Sequence, residues 1–277
     1  MRDISSNLIS TISSNNLPTT FHGESINFFL AANITNTNQK VAVDNLVRDL
    51  KINNLWDKMI AIYPLVGGTA DTHKFNLKDP RDLDAAYRLI FSAVTHSSGG
   101  ISHTGTTGGA DTNIRASSFS SITNNIHLSV YSRTDSNDTG NPAAGAIIGL
   151  NVAATSQINI YPRYGTAGFL SRLADNSGLS GPAMTTSLGF YLVTRTSSAS
   201  KTYFKNGVNL GTSAHTSISL SASTSNIILG RYSNNPTPRE IAFASFGSGL
   251  TISECVIFSQ IVESYQYRLY RNVSLTI

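Results

Sequence analysis

Asp135, Asn137, Thr139 and Gly140 stand at the first, third, fifth and sixth places of a twelve-residue calcium-binding loop, the most metal-like string in the chain. The twelfth place must supply a bidentate carboxylate, and it is Ala146. Residues 133–140 therefore read as a polar hairpin loop, with Asp135, Asn137 and Thr139 as candidates for a looser calcium site at a sheet rim. His73, His96 and His103 invite a zinc hypothesis, but their spacing matches no compact ligand motif, so they read as solvated side chains. Asp79, Asp82 and Asp84 supply too few oxygens for a hard cation and read as turn caps and partners of Arg81 and Arg88. Hydrolysis of a glycosidic bond needs two carboxylates across the sugar, supplied by a Glu-x-Asp-x-Glu strand. The glutamates are Glu24, Glu240, Glu254 and Glu263, and no such triplet exists. A Gly-x-Ser-x-Gly elbow and a phosphate-binding Walker loop are also absent. No catalytic residue and no cofactor is expected, and the chain does not read as an enzyme.

Composition narrows the classes further. Charged residues make up 13% of the 277, about half the usual share. Uncharged polar residues then keep the surface wet, as suits exposed sheets and proteins that assemble side by side. The net charge is +4, yet Lys and Arg are scattered from Arg2 to Arg271 without a basic run, so nucleic-acid binding is not expected. No apolar run approaches the roughly 18 to 20 residues of a membrane span, and residues 1–20 lack the continuous apolar core of a signal peptide. Synthesis in a cytoplasm without membrane insertion is the expectation. Cys255 is the single cysteine, which excludes an internal disulfide, and its apolar setting makes it a buried small hydrophobe.

The elements that would position these side chains are mostly strands. Asn206-Gly207 separates two extended runs, 202–204 and 208–210, and is the strongest short-range hairpin signal because a primed turn needs positive φ at both central residues. Further strands are predicted over 87–94, 126–131, 146–150, 157–161, 169–173, 188–194, 217–223, 225–229, 241–246 and 250–258. Ile126, Leu128 and Val130 share one face of theirs. The stretch 95–112 reads as a Gly/Ser/Thr loop. Helical spacing appears at Val43, Leu46, Val47 and Leu50, with Asn38 as N-cap and Pro64 and Gly67-Gly68 as terminators, and a short helix is predicted over 263–271. Trp56 reads as a core anchor. Residues 1–20 are rich in Ser, Asn and Thr and read as a tail, though Ile4, Leu8, Ile9 and Ile12 could form one amphipathic turn.

Tyr203-Phe204-Lys205-Asn206-Gly207, Ile227-Ile228-Leu229-Gly230 and Glu254-Cys255-Val256-Ile257-Phe258, followed by residues 263–269, resemble the C-terminal half of concanavalin A-like, laminin-G-like jelly rolls. In those domains the third piece is a closing strand ahead of a short helix. Trp56-Asp57-Lys58-Met59, with residues 61–68 and 74–81, resembles a block found ahead of such jelly rolls in bacteriophage virion proteins. The two resemblances cover roughly residues 38–270.

The resemblance implies a mainly β chain: an antiparallel β-sandwich jelly roll over 87–277, a helical docking segment over 38–86 and an N-terminal arm over 1–37. It implies a virion component, assembled in the host cytoplasm with other virion proteins, that forms a homo-oligomer such as a trimer and attaches to a host surface glycan or decorates the particle. Rim loops would supply aromatic faces for pyranose rings and polar groups for hydroxyls. Asp135, Asn137, Arg163, Tyr164, Tyr232 and Asn234 are the glycan-binding candidates. A purely structural capsid or tail subunit and a polysaccharide depolymerase are the alternatives.

Overall fold

A computed structural model describes residues 20–103, 108–137, 146–150, 157–166, 168–175, 181–221, 224–232 and 235–273. In chain order the elements are α1 (Gly23–Ala31), α2 (Thr37–Ile52), β1 (Met59–Tyr63), α3 (Ala70–His73), β2 (Ile90–Ser92), β3 (Val94–Ser97), β4 (Gly100–His103), β5 (Gly109–Arg115), β6 (Ile126–Ser132), β7 (Ile148–Leu150) and β8 (Gln157–Tyr164). They continue with β9 (Gly168–Asp175), β10 (Gly189–Arg195), β11 (Lys201–Lys205), β12 (Val208–Ser213), β13 (Asn226–Leu229), β14 (Arg231–Tyr232), β15 (Asn235–Pro236), β16 (Ile241–Gly247) and α4 (Ile252–Arg268). One antiparallel sheet runs β12-β11-β10-β6-β16-β4-β3, with β1 also paired to β16. The second runs β2-β5-β13-β7-β8-β9, also antiparallel, and the two face each other as a β-sandwich, the expected fold class.

The first sheet is covered on both faces. In β6, Ile126, Leu128 and Val130 join the core between the sheets, as their alternation predicts. His127, Ser129 and Tyr131, which alternation alone would send to solvent, are buried as well, because α4 lies across them and Phe258 meets the His127 ring edge-on. The polar atoms on that face are satisfied internally. His127 Nδ1 donates to Ser248 O at 2.6 Å, and Ser129 and Ser245 share a hydroxyl hydrogen bond at 2.7 Å. Burial pushes the His127 imidazole down to about 4, so it stays neutral. A second apolar core forms here: Val43, Leu46, Val47 and Leu50 of α2 pack with Cys255, Phe258, Val262 and Tyr265 of α4 over Phe190, Leu192, Phe204 and Phe243 of the sheet. Trp56 joins it, as expected of a core anchor.

Several expected boundaries move, each for a local reason. The strand expected over 250–258 is instead the start of α4. Thr251 and Glu254 form a capping box, and Cys255, Phe258, Val262 and Tyr265 recur at spacings of three, four and three, the helical stripe. Asn36 rather than Asn38 caps α2, its side chain accepting from Gln39 N at 3.1 Å. The run 87–94 divides where Tyr87 and Ala93 adopt positive φ, so β2 and β3 enter different sheets. Within 95–112, expected as a loop, β3 and β4 form a hairpin and β5 begins. Residues 217–221 form no strand; there Leu220 is buried and Ile218 N donates to Ala174 O, tying the segment across the sandwich. The hairpin at Asn206-Gly207 forms as predicted, with φ of 49° and 81°, and Asn206 Oδ1 also accepts from Phe190 N at 2.7 Å. α1 lies within the stretch expected as an arm and is tied to α2 where His22 N donates to Asp44; residues 1–19 lie outside the described residues.

One end of the sandwich is closed by charge. Asp175 at the end of β9 accepts from Arg195 Nη2 at 3.2 Å and Lys201 Nζ at 2.8 Å, and all three are buried. Arg195 also donates to Ser198 O and His215 O, and Lys201 to Ser171 O. This clasp joins the last residue of β10 and the first of β11 to the opposite sheet.

Candidate functional site

The other end carries the predicted rim. Arg239, buried just before β16, is its organising side chain: Nη2 donates to Ser136 O at 2.8 Å and Arg163 O at 3.1 Å, and Nη1 to Thr237 Oγ1 at 2.9 Å. One guanidinium therefore fixes the backbone of two segments, one carrying Asp135 and Asn137, the other Arg163 and Tyr164. Asp135 Oδ1 lies 3.7 Å from Arg163 Nη1 and accepts from Ser187 N at 2.8 Å and Ser187 Oγ at 3.2 Å. Partial burial raises the Asp135 carboxyl, but the hydrogen bonds from Ser187 and Thr186 and the Arg163 charge together hold it below its ordinary range. It is ionised and pre-oriented. Beneath it, Tyr191 donates to Thr186 O at 2.8 Å and Lys205 Nζ to the same oxygen at 2.9 Å.

The structure thus brings together Asp135 and Arg163; Tyr164, next in the chain, is half-buried and packs edge-on to Tyr161 in a cluster with Ala146 and Leu170. Asn137 is exposed two residues beyond Asp135. Tyr232 belongs to the β14–β15 hairpin, which springs from Gly230 and Thr237 beside Arg239; its backbone pairs with Asn235. Asn234 and Thr139 lie outside the described residues. The calcium reading of Asp135 meets a physical obstacle, since the Arg163 guanidinium beside that carboxylate repels a cation. Among the described residues no cluster of three or more His, Cys, Asp or Glu is placed to hold a metal ion.

The histidines are a correction. His73 is buried, not solvated: Gly68 N donates to its Nε2 at 3.1 Å, so its Nδ1 carries the proton and donates to His96 Nδ1 at 3.0 Å. Burial, aided by neighbouring His96 and Arg271, pushes His73 down to about 3, and burial pushes His103 to about 4. Asp79 pairs with Arg81, and Asp82 and Asp84 with Arg88, as expected. Burial raises the Cys255 thiol to about 12, an inert side chain.

Sequence reasoning missed Arg239 and Ser187. Arg239 looked like one scattered cation among many; the one available signal was its position directly before an apolar strand, where a buried side chain needs internal partners.

No protein-family model matches the sequence, and no curated protein matches it. Among solved structures, domain 4 of the extracellular arabinanase AbnA from Geobacillus stearothermophilus, in complex with arabinotriose, aligns over 73% of this chain and 98% of its own, at 10% identity and a TM-score of 0.45. Trypanosoma rangeli sialidase in complex with 2,3-difluorosialic acid aligns over 80% of this chain and 39% of its own, at 12% identity and a TM-score of 0.50. The botulinum neurotoxin serotype D binding domain aligns over 74% and 52%, at 11% identity and a TM-score of 0.51. This chain therefore spans about two fifths of the sialidase and about half of the toxin domain. At such identities the likeness is one of fold, the antiparallel β-sandwich.

Proposed function

We propose that this chain is a glycan-binding β-sandwich carried on a bacteriophage particle, where it attaches to host surface glycans or decorates the surface. The observation that supports glycan binding is the rim: a carboxylate and a guanidinium 3.7 Å apart, both part-exposed, sit on backbone segments that a buried arginine holds in place. Ionised groups held by the fold can bond sugar hydroxyls without first losing side-chain freedom. The solved neighbours named above include a sialidase in complex with 2,3-difluorosialic acid, which agrees with this reading. The virion assignment, assembly in the host cytoplasm with other virion proteins, and a homo-oligomer such as a trimer rest on the resemblance carried by residues 56–81.

The reading is of a binder without catalysis. Each glutamate already has a partner: Glu24 with Lys51, Glu240 with Arg133, Glu254 with Lys58, and Glu263 with the Tyr131 hydroxyl and Asn272. Carboxylates so engaged are poor candidates for the acid and base of glycoside hydrolysis.

A glycan array tests it. Wild type is expected to bind a restricted set of glycans, and the double variant Asp135→Ala/Arg163→Ala to lose one or more of them. Silence of the wild type would favour a purely structural subunit, and release of reducing ends from the bound glycan would favour a depolymerase.

A further inference from the structure

On the helical face of the molecule lies a groove of about 470 Å³ built from segments distant in sequence. One wall is the start of α2, with Asn36, Asn38 and Gln39; the second is the turn between β3 and β4, with Ser97 and Ser98; the third is the end of α4 and the residues that follow it, with Arg268 and Tyr270. The floor is an ion pair tied to its surroundings: Arg133 Nη1 donates to Glu240 Oε2 at 2.5 Å, Ser97 Oγ to Glu240 Oε1 at 2.8 Å, and Arg133 Nε to Arg271 O at 3.0 Å. Gly99 lets the turn come down onto that pair, since a Cβ there would stand 2.2 Å from Arg133 Nη1 and 2.5 Å from Glu240 Oε1. The floor is an ion pair held by the fold, and the walls carry neutral donors and acceptors together with one exposed cation, Arg268.

Tyr270 is the anomaly. It is 90% exposed and takes φ of 56°, a left-handed conformation rare for a bulky aromatic residue. Its neighbours hold it there. Leu269 packs on the helical core, and Arg271 is buried, donating to Leu65 O, Pro64 O, Ala242 O and Gln266 Oε1. The chain thus keeps an aromatic face in water at the lip of a polar groove, with anchors on both sides.

We propose that this groove is a second binding site, distinct from the Asp135–Arg163 pair, and that it takes a pyranose oligosaccharide. One sugar ring stacks on Tyr270 while its hydroxyls exchange hydrogen bonds with the amides of Asn38 and Gln39 and the hydroxyl of Ser98. The lining distinguishes this occupant from others. A helical or extended peptide needs apolar anchor pockets, and Val66, the one aliphatic side chain in the walls besides Leu269, is itself buried. A nucleic acid needs several available cations, and of the three arginines lining this groove Arg133 is paired with Glu240 and Arg271 is buried on backbone carbonyls.

The test is a titration of the full chain, labelled with fluorotyrosine, against defined tri- to hexasaccharides of glucose, mannose, galactose and N-acetylglucosamine and their uronic- and sialic-acid-containing counterparts. The Tyr270 fluorine resonance, assigned by its loss in Tyr270→Phe, is expected to shift with at least one probe. Affinity for that probe should fall about tenfold or more in Tyr270→Ala, stay close to wild type in Tyr270→Phe, and be unchanged in the rim variant Arg163→Ala. Absence of any shift across the panel, or Tyr270→Ala titrating like wild type, would overturn the site. Because Tyr270 is exposed, its substitution leaves the core intact, and an unchanged melting curve verifies this.

Discussion

At one end of β10 an aspartate and an arginine lie 3.7 Å apart with 45% and 24% of their side chains exposed; at the other end Asp175 and Arg195 lie 3.2 Å apart and are sealed from water. The chemistry is the same and the surroundings are opposite. The buried clasp spends its groups on the fold: Asp175 Oδ2 also takes Lys201 Nζ and Leu173 N, and Arg195 is used up on backbone carbonyls. Burial lowers the pKa of Arg195 and of Lys201, and the Asp175 charge opposes it. At the rim, Asp135 and Arg163 face solvent, and a third residue, Arg239, performs the structural role beneath them. A charged pair becomes available to a ligand when another group holds the backbone for it.

The comparison can be broken most forcefully at the clasp. Asp175→Asn would leave two buried cations facing no carboxylate, and a loss of about 3–5 kcal/mol is expected from urea unfolding; a loss below about 1 kcal/mol would make the clasp no different from a surface pair. Next comes Arg239→Met, which removes the donor from Ser136 O and Arg163 O. It should cost about 1–3 kcal/mol and also weaken glycan binding, although Arg239 touches no ligand. A variant that loses stability but binds normally would show that the rim does not need its support.

Acid supplies a third probe. His73, His103 and His127 are neutral in the fold, with values pushed down to about 3, 4 and 4 from an ordinary 6.5. A depressed folded-state value means that this stability is fully present above about pH 6.5 and is lost as pH falls toward 4 and below. Urea midpoints should therefore drop between pH 7 and pH 4. The drop should be smaller in His73→Gln, which removes one imidazole and leaves the shares of the other two; an equal slope would exclude His73 from the effect. The smallest effect is at the rim itself. Asp135→Ala should change stability by no more than about 1 kcal/mol while removing binding of the glycans held at the rim.

How far the sequence discloses this molecule depends on whether a feature is local. The Asn206-Gly207 turn, the α2 stripe and the inward face of β6 are each encoded within a few residues, and all three form as read. The start of α4 was legible too, in the capping box at Thr251 and Glu254, but the apolar run from Cys255 to Phe258 imitates a strand, and the jelly-roll resemblance reinforced that imitation. The outward face of β6 misleads because His127 and Ser129 look solvent-bound until α4 covers them. Asp175, Arg195 and Lys201 come from three strands, and the groove walls from three distant segments, so neither assembly exists before the chain folds. Asp135 and Arg163 were singled out individually; that they meet was not readable.

The most direct measurement is the affinity of wild type and Arg163→Ala, side by side with their melting temperatures, for the glycan the array selects. Affinity is expected to fall about tenfold or more while the melting temperature stays within a degree or so, because Arg163 is held for binding rather than for folding. Equal affinities in the two proteins would contradict that role.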